Sequence, residues 1–186
     1  GGAGFFDAPF PSEHRRGPDG RIPIDGFPLL EPVRPFVQHL LDLADNTLTD
    51  FGTTSAIYLR LEVSPIALPT MQETVTPGGP IFLVGIDPQG ADYGVRVPLA
   101  THFEADAGPY GAVRLLSLLP LQGRPLAPLT RYAAVVLRTL PVQGDALGQG
   151  RAVRAIAAGE PVDGLDPPAT AAYRFALDAL ADLGTP

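Results

Sequence analysis

The 186 residues contain no cysteine, no lysine and no tryptophan, and only one methionine. Without cysteine there is no disulfide framework, no zinc–thiolate centre and no cysteine nucleophile. All thirteen basic residues are arginine, which together with abundant Ala, Gly, Pro and Leu reads as the coding bias of a GC-rich bacterial genome. Without tryptophan the chain lacks the best platform for stacking a sugar ring. No run of eighteen apolar residues exists, so no transmembrane segment is expected. The first residues also lack the basic and apolar blocks of a signal peptide, and "GGAG" reads as a processed start. Basic clusters are missing as well: with twenty acidic residues the net charge is -7, and nucleic acid is not an expected partner.

Catalytic signatures are equally sparse. No Gly-x-Ser-x-Gly elbow occurs, and the serines are Ser12, Ser55, Ser64 and Ser117. A triad built on Ser55 with a histidine and an aspartate would lack any motif, and a strand-start hydroxyl explains Ser55 without one. His102, Glu104 and Asp106, or His39 and Asp42, are short of the three or four converging ligands of a metal centre. Asp19 with Asp25, and Asp87 with Asp92, flank glycine turns; turn chemistry accounts for them, and their spacing is not that of an EF-hand. "TPGGP" and "QGDALGQG" lack the lysine and the strand-to-helix order of a phosphate loop. No catalytic residue, cofactor or metal ligand is therefore assigned.

What is present is punctuation. Twenty-two prolines and twenty-one glycines cut the chain into short elements, as in all-β domains. In "AIYLRLEV" the residues Ile57, Leu59, Leu61 and Val63 alternate with Tyr58, Arg60 and Glu62, the period of a strand with one wet face. "VRVPLATHF" places Val95, Val97, Leu99, Thr101 and Phe103 inward, with Pro98 marking an edge or a bulge. "PIFLVGID" reads as a central strand closed by the β-turn "DPQG". "AVRLLSLLPL" and "RYAAVVLRTL" are apolar on nearly both faces and read as strands, although periodicity alone leaves buried helix open.

Three helices are expected. Val33, Phe36, Val37, Leu40, Leu41 and Ala44 fall at helical spacing, predicting one packed helix with Pro35 in its first turn. "QGRAVRAIAAGE" is a short helix ended by Gly159, and "PPATAAYRFALDALADLG" a longer one running from proline to Gly184. At about 100° per residue, Tyr173, Leu177 and Leu180 share one face of the last helix while Phe175 and Leu183 lie to the other side. The first face should pack on the domain. The second, Phe175 and Leu183, is expected to stay partly exposed as a docking surface for a neighbouring domain of the same parent chain.

Three stretches carry a resemblance. "FDAPFPSEHRRGPDGRIPIDGFP", "DFGTTSAIYLRLEVSPIALP" and "PLQGRPLAPLTRYAAVVLRTL" together resemble the immunoglobulin-like N-terminal domain of large secreted bacterial proteins, including that of bacterial virulence-factor lipases. The likeness spans about residues 5 to 140 and is one of spacing more than of identity. It departs at "VQGDALGQG", where the family has an Asp-x-x-Gly turn. It implies an all-β fold, an immunoglobulin-like β-sandwich with a few accessory helices. Residues 1–28 would form an N-terminal segment packed on the sandwich, residues 29–148 the sandwich with one inserted helix, and residues 149–186 a helical extension leading to a following domain. Phe5, Phe6 and Phe10 would cover an end or edge of the sandwich, with Asp19-Gly20 turning a tight hairpin. Tyr132, at the start of a late strand, would return its hydroxyl to the preceding loop as a tyrosine corner. The implied role is a non-catalytic structural module of a larger secreted or cell-surface bacterial protein, with a hydrolase as one candidate neighbour. An unrecognised hydrolase-type enzyme and a carbohydrate- or protein-binding module stand as alternatives, since fold alone does not decide function.

Overall fold

A computed structural model describes residues 4–29, 34–108 and 111–185; Val33 of the predicted first helix lies outside them. Among the described residues six strands form two antiparallel sheets. β1 (Ile57–Arg60), β5 (Val113–Pro120) and β4 (Leu99–Asp106) make the first, in the order β1-β5-β4. β3 (Arg96–Val97), β2 (Ile81–Gly85) and β6 (Tyr132–Val136) make the second, in the order β3-β2-β6.

The alternation predicted for β1 sets the register. Ile57 pairs with Leu118 and Leu59 with Leu116, so these four side chains share one face of the first sheet, because successive side chains on a strand point to opposite faces. Leu99 and Phe103 of β4 lie opposite Pro120 and Leu116. In the second sheet Ile81 and Leu83 of β2 pair with Val136 and Ala134 of β6. Apart from Pro120, these side chains meet in one core with Leu61, Val97, Leu140, Val142 and Leu147, so the two sheets pack face to face. Pro98 separates β3 in the second sheet from β4 in the first, the edge-or-bulge role expected of it.

β2 is buried along its whole length, and this decides the rest of the architecture. Its second face, Phe82 and Val84 with the adjoining Ile86, cannot be left in water. Helix α3 (Pro167–Asp182) covers it: Phe175, Ala176, Ala179, Leu180 and Leu183 pack against Phe82, Val84, Ile86, Ala133 and Val135. The helix begins on Asp166, whose carboxylate accepts the Ala169 N–H at 2.8 Å, a standard N-cap. It stops where Gly184 takes φ +67°, with the Thr185 N–H on the Leu180 carbonyl and the Gly184 N–H on the Ala181 carbonyl, each at 2.9 Å. That pair of bonds is a Schellman motif. Helix α2 (Arg151–Ala157) packs beside α3.

The outer face of the first sheet is covered from the other end of the chain. Phe5 and Phe6 are buried against Ala112 and Leu115, with Phe10 and Tyr58 packed alongside. Phe10 also exchanges both backbone hydrogen bonds with Tyr58, at 3.1 and 2.7 Å, so the opening segment pairs with the exposed edge of β1. The segment does dock, but not as a hairpin. Gly17 to Arg21 closes a turn around Asp19-Gly20, with Gly20 at φ +82°, and no strands flank it.

Among the described residues the fold is a mixed β fold, antiparallel sheets with three α-helices, which agrees with the sheets and accessory helices expected; both sheets have an apolar outer face, and helix or strap must cover it. One sequence expectation needs correction: helix α1 (Arg34–Thr47) is not fully packed. Val37, Leu41 and Ala44 are half-buried, but Phe36, Leu40 and Leu43 are 70%, 47% and 54% exposed.

Candidate functional site

Phe175 and Leu183, expected to stay partly exposed as a docking surface, are each partly exposed and pack inward on the second sheet. Both side chains lie in the apolar layer between α3 and the second sheet. The Arg131 guanidinium stands 4.9 Å from the Phe175 ring centre, and a Leu183 methyl fills the space beside Gly94, 3.0 Å from where a Cβ would stand. Their partial exposure is as expected; what turns these two side chains toward the sheet is β2, since a central strand apolar on both faces needs two covers. Tyr173, assigned to the packed side, instead reaches the opening segment, where its hydroxyl shares a 2.7 Å hydrogen bond with Ser12 Oγ.

The apolar stripe that does remain open is on α1. Phe36, Leu40 and Leu43 are spaced i, i+4 and i+7 and so lie on one face. The helix is held from its opposite end and flank. Ile24 N–H donates to Asp45 Oδ1 at 3.0 Å, Ile22 N–H to the Leu48 carbonyl at 2.9 Å, and Arg16 to the Thr49 carbonyl.

Arginine 15 organises the opening segment, a role that sequence reasoning missed. Its guanidinium donates to the carbonyls of Phe5, Pro9 and Ala8, the last two at 3.1 Å, and lies 4.1 Å over the Phe5 ring. Five donors in a rigid fork suit this geometry, and lysine would not. Burial lowers its pKa, with the Tyr173 hydroxyl acting in the opposite direction. The signal available in the sequence was an Arg pair amid aromatics and prolines, where unpaired carbonyls need a donor. Arg16, its neighbour, is drawn to Glu13 by a 2.8 Å ion pair, which raises its pKa.

Beside this segment lies a cleft of about 630 Å³. His14, Arg15, Arg16, Pro23, Asp25 and Asp166 are among the residues that line it. Most of these polar groups have an internal task already: Arg15 and Arg16 as above, Asp166 as the α3 cap. The other sequence candidates are dispersed. His102 and Glu104 pair at 3.4 Å on the exposed face of β4. Asp87 and Asp106 accept the N–H groups of Gln89 and Gly108 in their own turns, and Asp19 that of Arg21. Ser55 closes a turn onto the Gly52 carbonyl. Among the described residues no group of three or more His, Asp or Glu side chains is placed to hold a metal ion.

Tyr132 stands at the start of β6. Its hydroxyl accepts the Ala127 N–H from the preceding loop at 3.1 Å and donates to Asp92 Oδ2 at 2.5 Å. This is the tyrosine-corner geometry expected of that position, with Asp92 as an additional partner. Desolvation first, and the Asp92 hydrogen bond second, push the phenol above its ordinary pKa.

Compared with family models, curated proteins and solved structures, the chain matches none. No helix among the described residues is long and apolar enough to cross a membrane.

Proposed function

We propose that the chain is a non-catalytic, immunoglobulin-like structural module of a larger secreted or cell-surface bacterial protein, and that it serves to position a neighbouring domain. The observation that carries this reading is the outward apolar stripe of α1, Phe36, Leu40 and Leu43. A helix tied down by its last turn, with large apolar side chains in water, suits an element that another domain covers. The tyrosine corner at Tyr132 supports the immunoglobulin-like part of the proposal, and the face-to-face sheets support it further. The polar side chains also fit: Arg15, Asp92, Asp166 and Ser12 tie elements of the same chain together.

The test is paired. Phe36→Ser and Leu40→Ser should leave the melting temperature of the isolated chain nearly unchanged, since both side chains are already in water. In the parent protein, the same changes should lower the melting temperature of the unit formed with the adjoining domain. Equal destabilisation of the isolated chain would mean that α1 packs inward, and the reading would fall.

A further inference from the structure

Three Asp-Gly pairs occur in the chain: Asp19-Gly20, Asp25-Gly26 and Asp163-Gly164. They are chemically alike, but the fold treats them differently. Ile24 to Phe27 and Val162 to Leu165 are the same turn written twice. In each the N–H of the last residue donates to the carbonyl of the first, at 3.2 and 3.1 Å, and glycine stands third at φ +72° and +78°, the type II pattern. In that pattern the glycine N–H spans the middle of the turn and points to solvent. Neither Gly26 nor Gly164 donates its N–H to another backbone group among the described residues. Asp25, Gly26, Asp163 and Gly164 are all exposed, and no heavy atom lies within 4 Å of the place where a Cβ would stand on either glycine.

Asp19-Gly20 sits one step further along its turn. There Gly20 is the fourth residue, and its N–H donates to the Gly17 carbonyl at 2.9 Å. The Asp19 carboxylate accepts the Arg21 N–H at 3.1 Å. Both the nucleophile and the electrophile of an intramolecular attack are thus held.

We infer that Asp25 and Asp163 are sites of spontaneous isoaspartate formation in the folded protein, and that Asp19 is protected. The glycine nitrogen attacks the aspartate Cγ; the N–Cγ bond forms, the Cγ–O bond breaks, and one water leaves, giving a five-membered succinimide. Water then adds at one of its two carbonyls. Attack at the backbone carbonyl breaks its bond to nitrogen, and the chain now runs through Cβ and Cγ. Mass is unchanged overall, and no oxidant or co-reactant beyond water is needed. At both sites the product puts an extra carbon into the backbone beside a tether. Ile24 holds α1 through Asp45, and Asp163 is three residues before the α3 cap. Asp25 and Gly164 also line the same cleft, so both lesions fall in one region of the molecule.

The experiment ages the intact chain in neutral buffer at physiological temperature and maps isoaspartate by peptide mass spectrometry. A carboxyl methyltransferase specific for isoaspartate serves as an independent probe. A parallel sample is aged in urea. In the folded chain, Asp25 and Asp163 should convert about tenfold faster than Asp19, because two hydrogen bonds must be given up at Asp19; in urea the three rates should converge. Asp25→Glu, which would need a slower six-membered ring, should remove the first site and leave the second. Conversion of Asp19 as fast as the others in the folded chain overturns the inference. So does silence at Asp25 and Asp163 when folded, coupled with conversion in urea.

Discussion

Tyr132 shows how much one hydroxyl can hold. It accepts from the loop before β6 and donates to Asp92 in the turn after β2, so Tyr132→Phe leaves a half-buried N–H and a carboxylate each short of a partner. We expect a loss of about 1–3 kcal/mol, read by urea denaturation. The raised phenol pKa adds a pH signature. Because the folded pKa lies above the ordinary value of 10.0, the folded state favours the neutral phenol. Its contribution is fully present below pH 10 and is lost as pH rises through the folded pKa. Stability of the native chain should therefore fall more steeply above pH 10 than that of Tyr132→Phe, and parallel curves would count against the corner. Arg15→Lys makes a second test at this scale. It keeps the charge but loses the fork, and should lower the melting temperature by several degrees; an unchanged value would show that the three carbonyls are equally well served by water.

Helix α3 is where the element scale is most instructive. Phe175→Ser should cost about 2–4 kcal/mol, since it opens the layer over β2 and places a hydroxyl there. Phe36→Ser on α1, a change of the same kind, should cost almost nothing. Calorimetry on the two variants checks the contrast, and the reverse order would refute the packing described. The sequence made the ends of α3 legible, because end signals are local: proline at its start, and Gly184 after the last turn. The alternation of β1 was legible for the same reason. Which side of α3 faces inward was not, because a helical wheel shows the faces of a helix without showing what lies opposite. The missing information sat in β2. "IFLVG" has no wet face, and an uninterrupted apolar strand requires a cover on each side. Read that way, "PIFLVGID" calls for a helix with a wide apolar face, and Phe175 and Leu183 fall within it. Arg15 was only half legible, for a different reason: the Arg pair amid aromatics and prolines was a signal, but which carbonyls it serves leaves no trace in the residue types around it.

Across the whole molecule, two sheets share one core, and each has its outer face closed by an end of the chain, the opening segment on the first and α3 on the second. Removing residues 1–11 should therefore act globally. Burial of Phe5 and Phe6 contributes about 1.5–3 kcal/mol each, and their loss also bares the edge of β1. The truncated chain should melt at a clearly lower temperature and associate at high concentration, as open edges do. A melting temperature equal to that of the full chain would show the segment to be a passenger. At this scale the proposed structural role also predicts no hydrolysis of short- or long-chain esters above blank. Turnover abolished by Ser55→Ala but kept by Ser117→Ala would reject it.

The hydrogen bond between Ser12 and Tyr173 joins residues 161 positions apart, and the cover of β2 is the last helix of the chain. A ribosome makes these parts in the order least convenient for folding. The strip of Phe82, Val84 and Ile86 is synthesised well before Pro167–Asp182, so the nascent chain carries an uncovered apolar strip until that helix emerges. Folding from the first residue onward can complete the shared core but not the outer layer. A chain arrested before Asp166 should therefore be captured by a holdase chaperone during translation, whereas a chain extended past α3 by a flexible linker should escape it.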